Sequence, residues 1–250
     1  MNEPIPLQGR IALVTGATRG IGRASALALA GAGAHVIAVG RTQGALEELH
    51  DEILAIDGPR PTIVALDLTD GDSIDRLGYE IFRRHERLDI LVHAAAMLGG
   101  LWPVAHIDPK LWDKLIATNL SSAYRLIRAT EPLLRQSEAA RALFLTTGQG
   151  VRRRAFWGGY AATKSALDTL VRCWADEVEH TNIRTVIVDP GAMRTRMRSQ
   201  AFPGENPATL PDPSEIGPMI VALAGAADPG LPTETARFSE WKAARAPASA

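Results

Sequence analysis

A chain of 250 residues, 46% of them hydrophobic, can bury one large core, which excludes disorder as its main state. With 27 basic against 28 acidic residues there is no global field for a nucleic acid or other polyanion, so the expected partner is a small molecule. Cys173 stands alone, the N-terminus MNEPIPLQGR lacks the apolar run of a signal peptide, and no stretch reaches the ~18 apolar residues of a membrane helix; a cytoplasmic protein with no metal site is expected.

Short apolar runs alternate with longer amphipathic ones, the pattern of parallel strands joined by crossover helices. Strands are expected at RIALVT from Arg10, AHVIAVG from Ala34, TIVALD from Thr62, LDILVHA from Leu88, ALFLTT from Ala142 and IRTVIVD from Ile183. Helices are expected around 20–32, 42–56, 71–86, 109–134 and 157–179. The fold class is therefore α/β, a doubly wound parallel sheet with helices on both faces, in one domain over 1–240. The Pro- and Gly-rich stretch 193–213 reads as a long loop, and such loops in compact domains usually bind or cover a ligand; a substrate loop is placed at about 192–215. Residues 241–250 read as a flexible tail.

The stretch VTGATRGIG sets Gly16, Gly20 and Gly22 between the first strand and an alanine-rich helix. Glycines there let backbone approach a pyrophosphate, and the helix N-terminus brings unpaired N–H groups and the positive end of its dipole. Thr18, Arg19 and Ile21 complete that loop, whose spacing departs from G-x-G-x-x-G. Where an acid at the end of the second strand would hold the 2′-hydroxyl of NAD, this chain has Gly40 and Arg41. Arginine offers a planar fork to a 2′-phosphate, and Arg19 is in reach of the same group, so NADP(H) is expected over NAD(H). Asp67 and Leu68, ending the third strand, would flank the adenine, unless Asp67 caps the helix of TDGDSID. Tyr160 and Lys164, four residues apart, share one helical face, where an ammonium would favour the phenolate of a phenol whose ordinary pKa is about 10.

Together with TNL at Asn119, YAATK at Tyr160 and DPGAMRT from Asp189 to Thr195, these stretches resemble the classical short-chain dehydrogenase/reductase family over nearly the whole chain. The segment MRTRMRSQAFPGENP is further similar to a little-characterised bacterial subgroup. The resemblance implies a Rossmann-type domain and hydride transfer between a nicotinamide and a carbonyl or alcohol, with Tyr160 as acid/base. It implies that Lys164 also holds the nicotinamide ribose, that Asn119 holds a water leading to a proton relay, and that Thr147 stands where the family usually has serine. Pro190, Gly191 and Thr195 would lie around the nicotinamide, and Ala94 would contact the cofactor. Homo-oligomers, dimers or tetramers, are implied through the helices that carry Asn119 and Tyr160.

Some positions depart from the family. LVHAAA replaces the usual NNAG, so His93, Ala94 and Ala96 stand there, with His93 read as a hydrogen-bonded structural replacement. TETARFSEWK replaces a glycine-rich ending and leaves a seventh strand open. Strand alternation turns Thr146 to the opposite face from Thr147. The clusters Arg152 to Arg154 and Arg194, Arg196 and Arg198 read as solvated faces or as contacts to an anionic substrate or carrier. Leu98, Gln149, Trp157 and Met193 are candidate pocket lining. The leading expectation is an NADP(H)-dependent carbonyl reductase; the alternatives are an alcohol dehydrogenase, a 3-oxoacyl reductase acting on carrier-bound chains, and a non-catalytic NADP-binding sensor.

Overall fold

Seven parallel strands lie in the order β3-β2-β1-β4-β5-β6-β7: β1 (Ile11–Thr15), β2 (His35–Gly40), β3 (Thr62–Ala65), β4 (Ile90–His93), β5 (Ala140–Leu145), β6 (Ile183–Asp189) and β7 (Ala236–Arg237). This computed structural model describes residues 6–147, 154–225 and 235–245. The central strands are apolar on both sides because both sides are covered. Ala12, Val14, Val92 and Leu145 enter one core with Leu29 and Ile220, while Leu13, Leu91 and Phe144 enter the other with Ile74, Leu126 and Leu167. That parity is the two-residue period of a strand sandwiched between helices.

Helices α1 (Gly20–Gly31), α2 (Gln43–Ala55) and α3 (Gly71–His85) connect the first four strands, and α6 (Gly158–Glu177) connects β5 to β6. Each falls within one or two residues of its expected span. The helix expected over 109–134 is instead α4 (Pro109–Ile116), a π turn over Ala117–Ser121, and α5 (Ser122–Leu134). Its amphipathic period runs through the π turn, which is why the pattern read as one helix. The expected loop 193–213 contains α7 (Arg196–Ala201), capped by the Thr195 side chain. Two further helices follow, α8 (Gly217–Gly225) and α9 (Phe238–Ala243), so helix continues past the boundary expected at residue 240. Residues 246–250 lie outside the described residues. The seventh strand exists and is two residues long. Among the described residues no helix is long and apolar enough to cross a membrane.

The strand order reverses between β1 and β4, which are neighbours in the sheet although β2 and β3 intervene in the chain. In doubly wound sheets a crevice opens at that switch point, outside the carboxyl ends of the strands.

Candidate active site

A cleft of about 950 Å³ lies there. Its floor at one end is the turn from β1 into α1, lined by Gly16, Thr18, Arg19, Gly20, Ile21 and Gly22. A Cβ on Gly16 (φ +68°) would come within 2.8 Å of the Ala95 backbone, and one on Gly22 within 2.3 Å of the Gly16 carbonyl oxygen, so no side chain fits where backbone crowds backbone. The N-cap of α1, Arg19, makes no side-chain cap, and the first turn holds no acid. The start of the helix therefore presents donors and positive potential to the cleft.

Arg41, after β2, and Asp67 and Leu68, after β3, line the same end. The Asp67 carboxylate accepts from the Thr69 backbone and hydroxyl, and those bonds, chiefly the first, hold its pKa below the usual range, with Arg41 adding to them. The capping of α3 that Asp67 was weighed for belongs to Asp70, which accepts from the Ser73 backbone.

At the other end β4, β5, β6 and α6 converge. Ala94, Ala95 and Ala96 line the wall after β4, Thr147 follows β5, and Pro190, Gly191 and Thr195 follow β6, where Asp189 accepts from the Gly191 backbone at 3.0 Å and shapes the turn. The Thr195 hydroxyl oxygen, expected beside a carboxamide, accepts from the Arg198 backbone at 3.2 Å. Leu98, Trp157 and Met193 are buried and line the cleft as expected. Gln149, Arg152 and Arg153 lie outside the described residues.

Tyr160 and Lys164 rise from the first turns of α6 into this end, almost wholly buried. Burial, with Asp189 nearby, pushes the Tyr160 phenol up to about 12. Desolvation of the phenolate dominates that shift, and the Lys164 ammonium donates to the Leu145 carbonyl at 2.7 Å. Lys164 is itself pushed down to about 8 by burial, against the opposing pull of Asp168. Asp168 also accepts from the Thr146 hydroxyl, which turns Thr146 towards α6, while both threonines line the cleft.

Among the described residues, Asn119 is the one expected site residue that does not line the cleft. It sits in the π turn with no exposed surface. Its amide oxygen accepts from the Met97 backbone at 2.8 Å, and its nitrogen donates to the Met97 carbonyl at 2.9 Å and the Thr163 hydroxyl at 3.1 Å. The Asn119 side chain thus braces the segment after β4 against α6. Thr118 beside it does face the cleft.

Sequence reasoning missed Asp168, Phe202 and the electrostatic effect of Asp189. Asp168 lies four residues beyond Lys164 on one helical face, a spacing visible in YAATKSALD. The Phe202 ring stands 5.6 Å from Trp157, whose ring meets Tyr160 edge-on at 6.1 Å. No local signal marks Phe202, because its place depends on how the segment after β6 folds back.

A family model described as short chain dehydrogenase matches residues 10–206. An oxidoreductase of Escherichia coli (strain K12), YciK, is 36% identical over 221 residues, 88% of this chain and 87% of the relative. A short chain dehydrogenase of Pseudomonas syringae superposes with TM-score 0.89 at 37% identity, covering 95% of this chain and 97% of the other. A short chain dehydrogenase of Escherichia coli CFT073 solved with NADPH superposes with TM-score 0.89 at 34% identity, covering 94% and 99%.

Proposed function

The chain belongs to the short-chain dehydrogenase family and is an oxidoreductase of that type, and from that premise we propose that it is an NADP(H)-dependent carbonyl reductase with Tyr160 as proton donor. The observation that carries the reading is a buried tyrosine and lysine opening into the same cleft as the glycine turn. The cradle at Gly16 and Gly22, which a Cβ would fill, suits a pyrophosphate on the α1 N-terminus. Arg19 and Arg41 suit a 2′-phosphate, and the NADPH complex of the Escherichia coli CFT073 relative supports that choice.

NADP(H), when bound, supplies the hydride. Tyr160, kept a phenol by burial, gives its proton to the substrate oxygen as the carbonyl carbon is reduced, so one hydride and one proton turn the carbonyl into an alcohol. The Lys164 ammonium, kept charged at neutral pH with the help of Asp168, stabilises the phenolate left behind. Thr147 donates a hydrogen bond to the developing oxyanion. Asn119 acts through Met97, fixing the wall after β4. A homo-oligomer through α4, α5 and α6 is part of this reading, supported by the exposed rings of Trp112 and Tyr124.

The test is Tyr160→Phe, assayed for NADPH oxidation with a panel of ketones and aldehydes and titrated with NADPH by fluorescence. Loss of nearly all turnover with cofactor binding retained is expected; parental turnover in the variant would remove Tyr160 from the chemistry.

A further inference from the structure

Arg154 has no part in the chemistry above, yet it lines the cleft beyond Tyr160. Its guanidinium carbon lies 5.0 Å from the centroid of the Phe202 ring, and among the described residues no carboxylate pairs with it. Two neighbouring arginines are neutralised. Arg198 lies 3.7 Å from the centroid of the same ring while giving two nitrogens to Glu205 at 2.6 and 2.7 Å, and Arg194 reaches Asp212 at 2.6 Å. Holding Phe202 in place does not call for a second guanidinium on that ring.

Between Arg154 and Tyr160 the wall is aromatic: Phe202 packs on Trp157, and Trp157 on Tyr160. Only two acids line the cleft among the described residues, Asp67 at the far end and Asp212, already tied to Arg194. The end near Tyr160 therefore presents an apolar surface that leads from the phenol to an unneutralised cation. A neutral substrate would gain from the wall and leave the cation unused, and a cationic one would be repelled. Guanidinium is planar and weakly hydrated, which suits it to a carboxylate.

We propose that the substrate is a carbonyl compound with an apolar, ring-sized body and a carboxylate at the end remote from the carbonyl, the body lying against Trp157 and Phe202 and the carboxylate meeting Arg154. The placement of the carbonyl rests on the reductase reading; the placement of the carboxylate does not.

The probes are 4-acetylbenzoate and its methyl ester, which share a body and differ in charge. Binding of each is measured by calorimetry with NADP⁺ present, at low and high salt, for the parent protein, Arg154→Met and Arg154→Lys, alongside NADPH-dependent reduction. The parent is expected to bind the carboxylate about ten-fold more tightly than the ester or better, as a charge-assisted contact predicts. That ratio should shrink at high salt, fall towards one in Arg154→Met and return in part in Arg154→Lys. If Arg154 only anchors Phe202, both probes weaken together and the ratio stays as in the parent, which overturns the proposal. Equal binding of the two probes by the parent, tighter binding of the ester, or binding of neither also overturns it. Turnover of both probes without a charge preference removes the carboxylate and leaves the reductase reading intact. A charge preference without any hydride transfer does the reverse.

Discussion

His93 and Thr15 stand opposite each other in the β1–β4 register and share a hydrogen bond, with 2.9 Å between Nδ1 and Oγ1, while His93 Nε2 is buried with no partner among the described residues. The imidazole thus does structural work at one nitrogen only. Burial, helped by the charge of Lys164, pushes it down to about 3. A group depressed from about 6.5 costs nothing while neutral, above the unfolded value, and its penalty grows as pH falls towards the folded value. For those two values the loss is roughly 2 kcal/mol between neutral pH and pH 5. His93→Asn should therefore lose less stability than the parent over that interval in urea titrations at pH 7.5 and 5. Parallel losses in the two proteins would show that His93 is not the acid-sensitive group.

Lys164 gives a second pH dependence, in activity. With its pKa at about 8 it is charged at neutral pH and loses its proton above that value, while Tyr160, at about 12, stays a phenol throughout. Reduction should then fall on an alkaline limb near pH 8, where the phenolate loses its counter-charge. Asp168 pulls the Lys164 value upward, so Asp168→Asn should move that limb to lower pH and leave the acid side in place. The profile of kcat/KM checks this; a limb that does not move separates Asp168 from the proton chemistry.

The fold was legible because buried parallel strands announce themselves as short apolar runs, and β6 begins and ends where IRTVIVD does. Helix α8 was not, since GPMIVALAG is apolar all round and shows no face; it is buried on α1, with Gly217 against Ala28. The glycine turn and the Tyr160–Lys164 pair were legible because their chemistry depends on residues close in sequence. The direction of the Tyr160 shift was not, because it follows from how little water reaches the phenol and from Asp189, a residue of another strand. Asn119 was found by its motif, but its bonds to Met97 were not legible, since only the folded chain brings Met97 to its amide.

Arg41 carries the cofactor prediction. It lines the cleft at the end of β2, where Gly40 and Arg41 stand in place of an acid. A charge-assisted contact to a 2′-phosphate contributes ~1.5 to 3 kcal/mol, or about ten- to a hundred-fold in affinity. Arg41→Ala should lose most of the preference for NADPH over NADH, read from the two dissociation constants. An unmutated protein that binds both cofactors equally would refute the assignment.

Thr146 and Thr147 are adjacent, and the structure separates what each should do. Both line the cleft, but Thr146 is buried and its hydroxyl donates to Asp168, whereas Thr147 is half-buried. Threonine and serine each offer one hydroxyl to a developing oxyanion, and removing such a donor typically costs ~10² to 10³ in rate. Thr147→Val should fall by that order with its melting temperature nearly unchanged, and Thr147→Ser should keep most activity. Thr146→Val instead removes a buried hydrogen bond to a carboxylate, worth about 1.5 to 3 kcal/mol, and should lower the melting temperature by several degrees. Its effect on rate should be the smaller of the two, because Lys164 keeps the charge of Asp168 nearby. Rates and melting curves on the three variants decide the matter. A Thr147→Val protein that reduces a good substrate at the parental rate would take the hydroxyl out of the reaction and favour a protein that binds the cofactor without turning it over.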